Sequence, residues 1–189
     1  MINFAGSNLY SMKSLKEYDI SFFGLKEGIH YFKYKIENQF FEAFNFDEYL
    51  GTNVLVTLEF VKKSSLIELN FSADGFVNIA CDVSTEPFDL AIQGELCMVV
   101  KFGNEFNDDN EDILIIPHGD YQVNVAQFIY ELIVLAVPKK KVHPGIEDGT
   151  LQSPVLKKLE ELELKANKNS NKIDPRWEDL KKLIKDKNT

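Results

Sequence analysis

The chain has 189 residues, of which 44% are hydrophobic and 12% aromatic, and its net charge is −9. This length suits one domain with a sizeable core, and this composition excludes a wholly disordered chain. The strongest apolar run, Leu132–Val137, is far too short to cross a bilayer, so no membrane role is expected. Two cysteines and the lack of a signal-peptide pattern after Met1 predict a cytoplasmic protein with free thiols.

The charge is divided unevenly along the chain. Residues 1–138 contain 8 Lys and Arg against 21 Asp and Glu, a balance of −13. Residues 139–189 contain 13 against 9, a balance of +4. The acidic part should repel nucleic acid, whereas the basic part could attract phosphate. From charge alone, a solvated helical surface is the simpler explanation of the basic part.

Alternating apolar residues predict a series of strands after a loose leader over residues 1–12. Strands are expected at Leu15–Ile20 and Ile29–Ile36, and a short helix at Glu37–Phe44. Later strands are expected at 54–61, 67–71, 76–81, 88–102 and 113–116, with a turn at Asp74-Gly75 and a charged loop over 105–112. Short turns between successive strands favour mainly antiparallel pairing.

The hydrophobic period then becomes helical. A helix is predicted from Val125 to Ala136, with Asn124 as its N-cap and Pro138 ending it. A second helix is predicted to begin at Ser153-Pro154 and a third at Asp174-Pro175. The predicted fold is α+β: a mainly antiparallel β-sheet core with one packing helix, followed by a helical basic C-terminal tail. The predicted domains are the leader (1–12), the β-rich core (13–138), and the basic linker and tail (139–189).

The sequence motifs argue against an enzyme. No G-x-S-x-G motif, no glycine-rich phosphate loop and no Cys with an evident His partner occurs, and the three histidines are scattered. The acidic segment Asp108–Asp112 lacks both the glycine and the closing glutamate of a calcium loop. We therefore expect no catalytic residue, no bound metal, no cofactor and no small-molecule substrate.

One segment carries a resemblance to a known family. Cys81-Asp82-Val83-Ser84-Thr85-Glu86-Pro87-Phe88 resembles the C-x-R-C-L-E-P-F segment of the YceD-like family, the large ribosomal RNA subunit accumulation proteins. Further pieces resemble the family in the same order: Leu15–Ile20, Phe23–Gly28, Val99–Gly103, Tyr130–Pro138, His143-Pro144 and Asp174–Leu180. The last of them is similar to the family's terminal D-P-R-W-x-x-L. Together these pieces cover most of residues 13–185.

The resemblance implies a role in making or retaining large-subunit ribosomal RNA. It also raises the question of a metal, because many members pair a C-x-x-C motif with later cysteines. Here Ser84 stands at the second cysteine position, Val83 replaces the usual arginine, and no cysteine follows Pro138. Cys81 and His143 fall short of the four ligands that a structural zinc site uses. No bound zinc is therefore expected.

We predict a non-enzymatic factor in ribosome biogenesis that binds a large-subunit ribosomal RNA precursor or a ribosomal protein. The acidic body would bind a basic ribosomal protein, and the basic segment would contact RNA phosphate. The residues predicted to bind nucleic acid are Lys139, Lys140, Lys141, Arg176, Trp177, Lys181, Lys182 and Lys185. Trp177 could stack on a base, although packing as an anchor is the commoner role of such a residue. The alternative function is a protein-interaction module without nucleic-acid contact.

Overall fold

The computed structural model describes residues 15–110 and 112–170, with residues 163 and 165–170 described by their backbone only. These residues divide into two compact units. The first lies within Met1–Ala80 and Pro87–Lys141, and the second within Cys81–Glu86 and Val142–Thr189. The second unit therefore combines a short internal loop with a later part of the chain. The domain bounds predicted at residues 12 and 138 remain predictions.

The described residues form eight strands and four α-helices. The strands are β1 (Asp19–Ser21), β2 (Gly28–Ile36), β3 (Gly51–Lys62), β4 (Leu66–Ala80), β5 (Pro87–Gly103), β6 (Asn107–Asn110), β7 (Ile113–Pro117) and β8 (Gln122–Asn124). The helices are α1 (Asn38–Glu42), α2 (Ala126–Ala136), α3 (Pro144–Glu147) and α4 (Pro154–Ser170). In this described part of the chain, no helix is long and apolar enough to span a membrane.

The predicted α+β class is wrong, because the described structure is mostly β-sheet, with 46% strand and 22% helix. Strand content exceeds the expectation because β4 runs unbroken through the predicted turn and because the charged loop contributes a strand of its own. The predicted helical tail is not shown either. The helix expected to begin at Ser153-Pro154 is present as α4, but the one expected at Asp174-Pro175 lies outside the described residues.

The main sheet has six strands in the order β2-β3-β4-β5-β7-β6, and it is mixed rather than antiparallel throughout. β2 to β5 form an antiparallel meander, as expected from their short connections. β7, however, pairs with β5 in parallel, with Val99 opposite Ile113. The reason is that β6 forms within the charged loop and pairs antiparallel with β7. The chain thus forms the outer strand β6 first and then returns to place β7 between β5 and β6.

The long strand β4 corrects a second expectation, since the sequence predicts a turn at Asp74-Gly75. β4 instead continues through Gly75 and pairs with β3 on one side and β5 on the other. Gly75 has φ +157°, and a Cβ there would lie 2.3 Å from the Asn53 carbonyl oxygen and 2.7 Å from Val54 Cα. The glycine therefore permits a close backbone approach inside the sheet instead of reversing the chain.

Strict alternation explains the burial of the central strands. Val54, Val56, Leu58 and Phe60 on β3 are fully buried, while the residues between them face the opposite side of the sheet. The same period continues on β4 through Ile67, Leu69 and Phe71. Because successive strand residues point to opposite faces, one face of the sheet becomes the core and the other remains available to solvent.

Helix α2 covers part of the buried face. Ala126, Ile129, Leu132 and Ile133 form its buried stripe, which confirms the predicted helical spacing. Asn124 Oδ1 accepts a hydrogen bond from Ala126 N at 3.0 Å. This bond gives a partner to a main-chain N–H of the first helical turn, which has no acceptor within the helix. At Gly94 on β5, a Cβ would lie 3.0 Å from Leu132 Cδ1 and 3.1 Å from Ala136 Cβ. Glycine at this position lets α2 pack closely on β5.

A second, two-stranded sheet joins the start of the described chain to the segment just before α2. β1 and β8 pair antiparallel, with Asp19 opposite Asn124. The strand expected at Leu15–Ile20 is thus shorter than predicted, because Lys16–Tyr18 forms a 3-10 turn. Asn124 Nδ2 donates to Asp19 Oδ1 at 2.7 Å, and Val125 N donates to Tyr18 O at 3.0 Å. These bonds fix the entry into α2.

Candidate functional site

The predicted nucleic-acid-binding residues are divided by what the structure describes. Lys139 and Lys140 are exposed just after α2, whereas Lys141 is half-buried and its Nζ lies 3.8 Å from Glu48 Oε2. This ion pair reduces the charge that Lys141 can offer to a phosphate, so Lys139 and Lys140 are the stronger candidates. The remaining five, Arg176, Trp177, Lys181, Lys182 and Lys185, lie outside the described residues, and their role stays a prediction.

The Cys81 thiol is the centre of a hydrogen-bond cluster in the second unit. Val83 N and Ser84 N each donate to Cys81 Sγ over 3.4 Å, and His143 N donates over 3.2 Å. Cys81 is 2% exposed and Ser84 is fully buried. The cluster connects the Cys81–Glu86 loop to a residue 62 positions away along the chain. Two segments that resemble the same family in the sequence are therefore in contact.

The environment of Cys81 favours its ionised form. Burial alone raises the pKa of the thiol, but the hydrogen bonds to Sγ outweigh that effect. The Ser84 hydroxyl and N–H contribute most, followed by the N–H groups of His143 and Val83, and the pKa of Cys81 falls from 9.0 to about 7. Because the sulfur is buried, its charge stabilises the local structure and is not presented as a nucleophile.

The donor set around Cys81 does not fit a structural zinc site, which needs about four Cys or His ligands. Ser84 occupies the second cysteine position of the family pattern, and its main-chain N–H donates to the Cys81 sulfur at 3.4 Å. The ring of His143 is used locally, since its Nδ1 accepts a hydrogen bond from Gly145 N at 2.9 Å. Among the residues that the structure describes, no group of three His, Cys, Asp or Glu side chains is arranged to hold a metal ion.

The first unit presents a broad surface that sequence patterns did not single out. On β2 to β5, strand register places side chains in rows on the face opposite the core. We define the open sheet face by three such rows and Phe76: Tyr31, Glu59, Asn70 and Cys97; Lys33, Thr57, Ser72 and Glu95; Lys35, Leu55, Asp74 and Gln93. All of these side chains are exposed or half-buried.

Carboxylates on the open sheet face are held in place by neutral donors. Tyr31 Oη donates to Glu59 Oε2 at 2.9 Å, and Asn70 Nδ2 donates to Glu59 Oε1 at 3.3 Å. The hydrogen bond to Glu59 and its charge raise the pKa of Tyr31. Across the next strand pair, Gln93 Nε2 donates to Asp74 Oδ2 at 2.7 Å. Neutral donors orient a carboxylate without cancelling its charge, so this face carries fixed negative charge.

The cations of the open sheet face lie at its β2 edge. Lys33 and Lys35 are both on β2, and Lys35 Nζ lies 2.6 Å from Glu37 Oε1. β2 is the end strand of the main sheet in the described structure. Lysines on an end strand discourage pairing with other chains. The positive charge thus has a protective role at the edge, while β3, β4 and β5 leave carboxylates on the interior of the face.

A comparison with protein-family models matches residues 69–184 to the family described as large ribosomal RNA subunit accumulation protein YceD. The match covers more than half of the chain and confirms the resemblance first seen around Cys81. The chain belongs to the YceD family. No curated protein and no solved structure matches it.

The residues that match the YceD family include all of Lys139–Lys141 but only part of the open sheet face. The match begins within β4 and includes the Cys81 cluster, Lys139–Lys141, and the β4 and β5 parts of the open sheet face. Strands β1 to β3, and with them Tyr31 and Glu59, precede the matched residues. A signal for the open face was present in the sequence as the polar half of the β3 and β4 alternation. It was missed because sequence alternation alone does not say which strands are neighbours.

Proposed function

We propose that this YceD protein promotes the accumulation of large-subunit ribosomal RNA by binding, without catalysing a reaction. The family match over residues 69–184 is the observation that carries this proposal. The described geometry supports a binding role in one respect: the Cys81 sulfur, whose pKa is lowered, is buried among hydrogen-bond donors of its own unit. The hydrogen bonds to this sulfur join the Cys81–Glu86 loop to His143.

The acidic body is the part proposed to contact a basic ribosomal protein. Residues 1–138 carry a balance of −13, and the open sheet face displays carboxylates that neutral donors hold in place. Such a surface attracts basic proteins and repels RNA phosphate, and long-range attraction speeds encounter with a basic partner. Ribosomal RNA would therefore be retained through a protein that this body accompanies during assembly.

The basic part of the chain is proposed to add an RNA contact. Lys139 and Lys140 are exposed, and residues 139–189 carry a balance of +4. Phosphate contacts from lysine and arginine position a protein on RNA without reading sequence. We expect this contact to be weak and salt-dependent, because release of counterions dominates such binding. The Arg176–Lys185 residues would contribute to the same contact.

Sedimentation of a lysate in a density gradient tests the proposal. An assembly factor should travel in part with large-subunit precursors, and a protein without a ribosomal role should stay at the top of the gradient. Lys139→Gln/Lys140→Gln should reduce cross-linking of the chain to ribosomal RNA. Lys157→Gln/Lys158→Gln, which removes the same charge from exposed positions of α4, is the matched control.

The outcomes separate the proposed function from its alternative. Absence of the protein from every precursor fraction would overturn the ribosomal role. Sedimentation with precursors but cross-linking to protein alone would favour a protein-interaction module without nucleic-acid contact. Equal loss of RNA cross-linking in both lysine variants would reduce the RNA contact to general charge and would remove the special role of Lys139 and Lys140.

A further inference from the structure

A shallow depression lies on the open sheet face between β4 and β5. Its lining consists of Ser72, Ala73, Asp74, Gln93, Gly94 and Glu95. The strand register places Asp74 opposite Gln93 and Ser72 opposite Glu95, so the two acidic side chains are diagonal neighbours on the same face. Ala73 and Gly94 point to the inner face of the sheet, where Gly94 faces α2, so they contribute only main chain to the depression. Two carboxylates therefore border one depression whose floor is the main chain of β4 and β5.

One of the two carboxylates is held in place by a neutral donor. Asp74 is oriented by the Gln93 amide, which donates to Oδ2 at 2.7 Å. Among the residues that the structure describes, neither Asp74 nor Glu95 takes part in an ion pair. A carboxylate fixed by one neutral donor still has capacity to accept further hydrogen bonds. The depression therefore combines fixed geometry with two negative charges that no described cation neutralises.

Apolar surface adjoins the depression on the same face. Phe76 follows Asp74 by two positions on β4 and is 54% exposed. Leu55 is opposite Asp74 on β3 and is 49% exposed. An exposed aromatic ring beside carboxylates suits a planar cation that has an apolar stem. The combination distinguishes this place from the wholly polar strand β6, where Asp108 is exposed among other polar residues.

We propose that this depression binds an arginine side chain from a basic protein segment, with Asp74 and Glu95 accepting hydrogen bonds from the guanidinium and Phe76 lying against its plane or stem. Arginine fits better than lysine because its planar group has several fixed donors, is less strongly hydrated and stacks on aromatic rings. RNA is disfavoured because phosphate would face two carboxylates. The inference rests on the proposed function, since it assigns the place where the acidic body contacts a basic ribosomal protein.

Binding of a labelled synthetic peptide rich in arginine, followed by fluorescence anisotropy on the full chain, tests the inference. Asp74→Asn/Glu95→Gln should weaken binding by about tenfold or more, as loss of charged partners in a specific contact does. Glu105→Gln/Asp108→Asn removes the same two charges from exposed positions outside the depression and should change the Kd by less than about twofold. Equal effects of the two variants, or no effect of either, would overturn the site.

Two further measurements keep the result unambiguous. Replacing every arginine of the peptide by lysine should weaken binding to the wild type. In Phe76→Ala, the Kd values of the arginine peptide and the lysine peptide should lie closer together. An unchanged preference in Phe76→Ala would contradict the proposed stacking. Denaturant unfolding of each variant checks that the fold is kept. If labelled poly(U) binds the wild type and the Asp74→Asn/Glu95→Gln variant loses that binding, the face contacts RNA and the proposal is wrong.

The gradient experiment separates failure of this site from failure of the proposed function. If the wild type and Asp74→Asn/Glu95→Gln travel equally with large-subunit precursors and bind the peptide equally, the function stands and the arginine site is wrong. If the wild type never enters the precursor fractions, the proposed function fails whatever the peptide shows. The inference predicts that the wild type enters these fractions and that the Asp74→Asn/Glu95→Gln variant is depleted from them.

Discussion

The two faces of the main sheet are built from the same strands, but one face packs as the core and the other carries charge at the surface. On the inner face of β3, Val56, Leu58 and Phe60 are fully buried, and their size and shape must fit a packed core. On the open sheet face, Glu59 lies beside Tyr31 and Asn70, and its bonds fix a charge at the surface. Residues that stabilise the core therefore alternate, one position apart, with residues of the proposed binding surface.

Removing a large side chain from the inner face should have the largest effect on folding. Phe60→Ala removes a fully buried ring that packs against Phe32 at 6.0 Å between ring centres. We expect the free energy of unfolding to fall by about 3–5 kcal/mol, as for other buried phenylalanines. Phe76→Ala on the open face should cost less than about 1 kcal/mol. Urea unfolding of both variants measures this contrast, and similar losses would contradict the division into two faces.

Gly75 tests whether β4 is continuous across the predicted turn. In Gly75→Ala the new methyl would overlap the backbone at Asn53 and Val54, so the sheet must move apart locally. We expect a loss of about 2–3 kcal/mol in unfolding free energy, comparable with overpacking in a core. Gly24→Ala is the control, because no heavy atom lies within 4 Å of a Cβ there. A Gly75→Ala protein as stable as the Gly24→Ala protein would mean that the strands are not in this register.

The two cysteines allow a smaller test, based on pH. The folded pKa of Cys81 is lowered to about 7, whereas an unfolded thiol keeps its ordinary value of 9.0. The folded protein therefore binds the proton less tightly, and the thiolate contributes stability that is fully present above pH 9 and is lost as the pH falls through 7.

Cys81→Ser removes this ionisation, so the stability gap between wild type and variant should widen by on the order of 1 kcal/mol between pH 7 and pH 9. Cys97→Ser, which makes the same sulfur-to-oxygen change at an exposed thiol, is the matched control. Thermal unfolding at several pH values measures both gaps. A gap for Cys81→Ser that stays constant with pH would show that the sulfur is neutral in the folded protein.

The smallest effect on stability is expected on the open sheet face. Glu59→Gln keeps the shape of the side chain and loses the charge that Tyr31 and Asn70 surround. Because the group is at the surface and its partners are neutral, unfolding free energy should change by less than about 0.5 kcal/mol. A much larger loss in chemical denaturation would assign this face a structural role and would weaken its interpretation as a binding surface.

Local patterns predicted individual strands and helices better than they predicted the fold class or the strand order. Alternation located β3 and the helical period located α2, since both depend on residues close together in the sequence. The parallel pairing of β7 with β5 was not predictable in this way, because it depends on where β6 returns to the sheet. The sequence predicts a turn at Gly75 because glycine is common in turns, but glycine also occurs where two backbones approach closely, as it does here.

The candidate sites show the same division. The resemblance around Cys81 and His143 identified two segments that the structure brings into contact, although it gave no indication that the main-chain N–H of His143 makes the bond. The depression between Asp74 and Glu95 needed the register of β4 against β5, which alternation within each strand does not fix. The residues from Arg176 onward lie outside the described structure, so their predicted contact with RNA rests on sequence alone.

The most direct test of the central claim is the ratio of large-subunit to small-subunit ribosomal RNA in cells that lack this chain. The account predicts a lower ratio without the protein, restored by the wild type and restored less well by Asp74→Asn/Glu95→Gln produced at the same level. The Glu105→Gln/Asp108→Asn variant should restore it fully. An unchanged ratio in cells without the protein would contradict the proposed role in large-subunit ribosomal RNA accumulation.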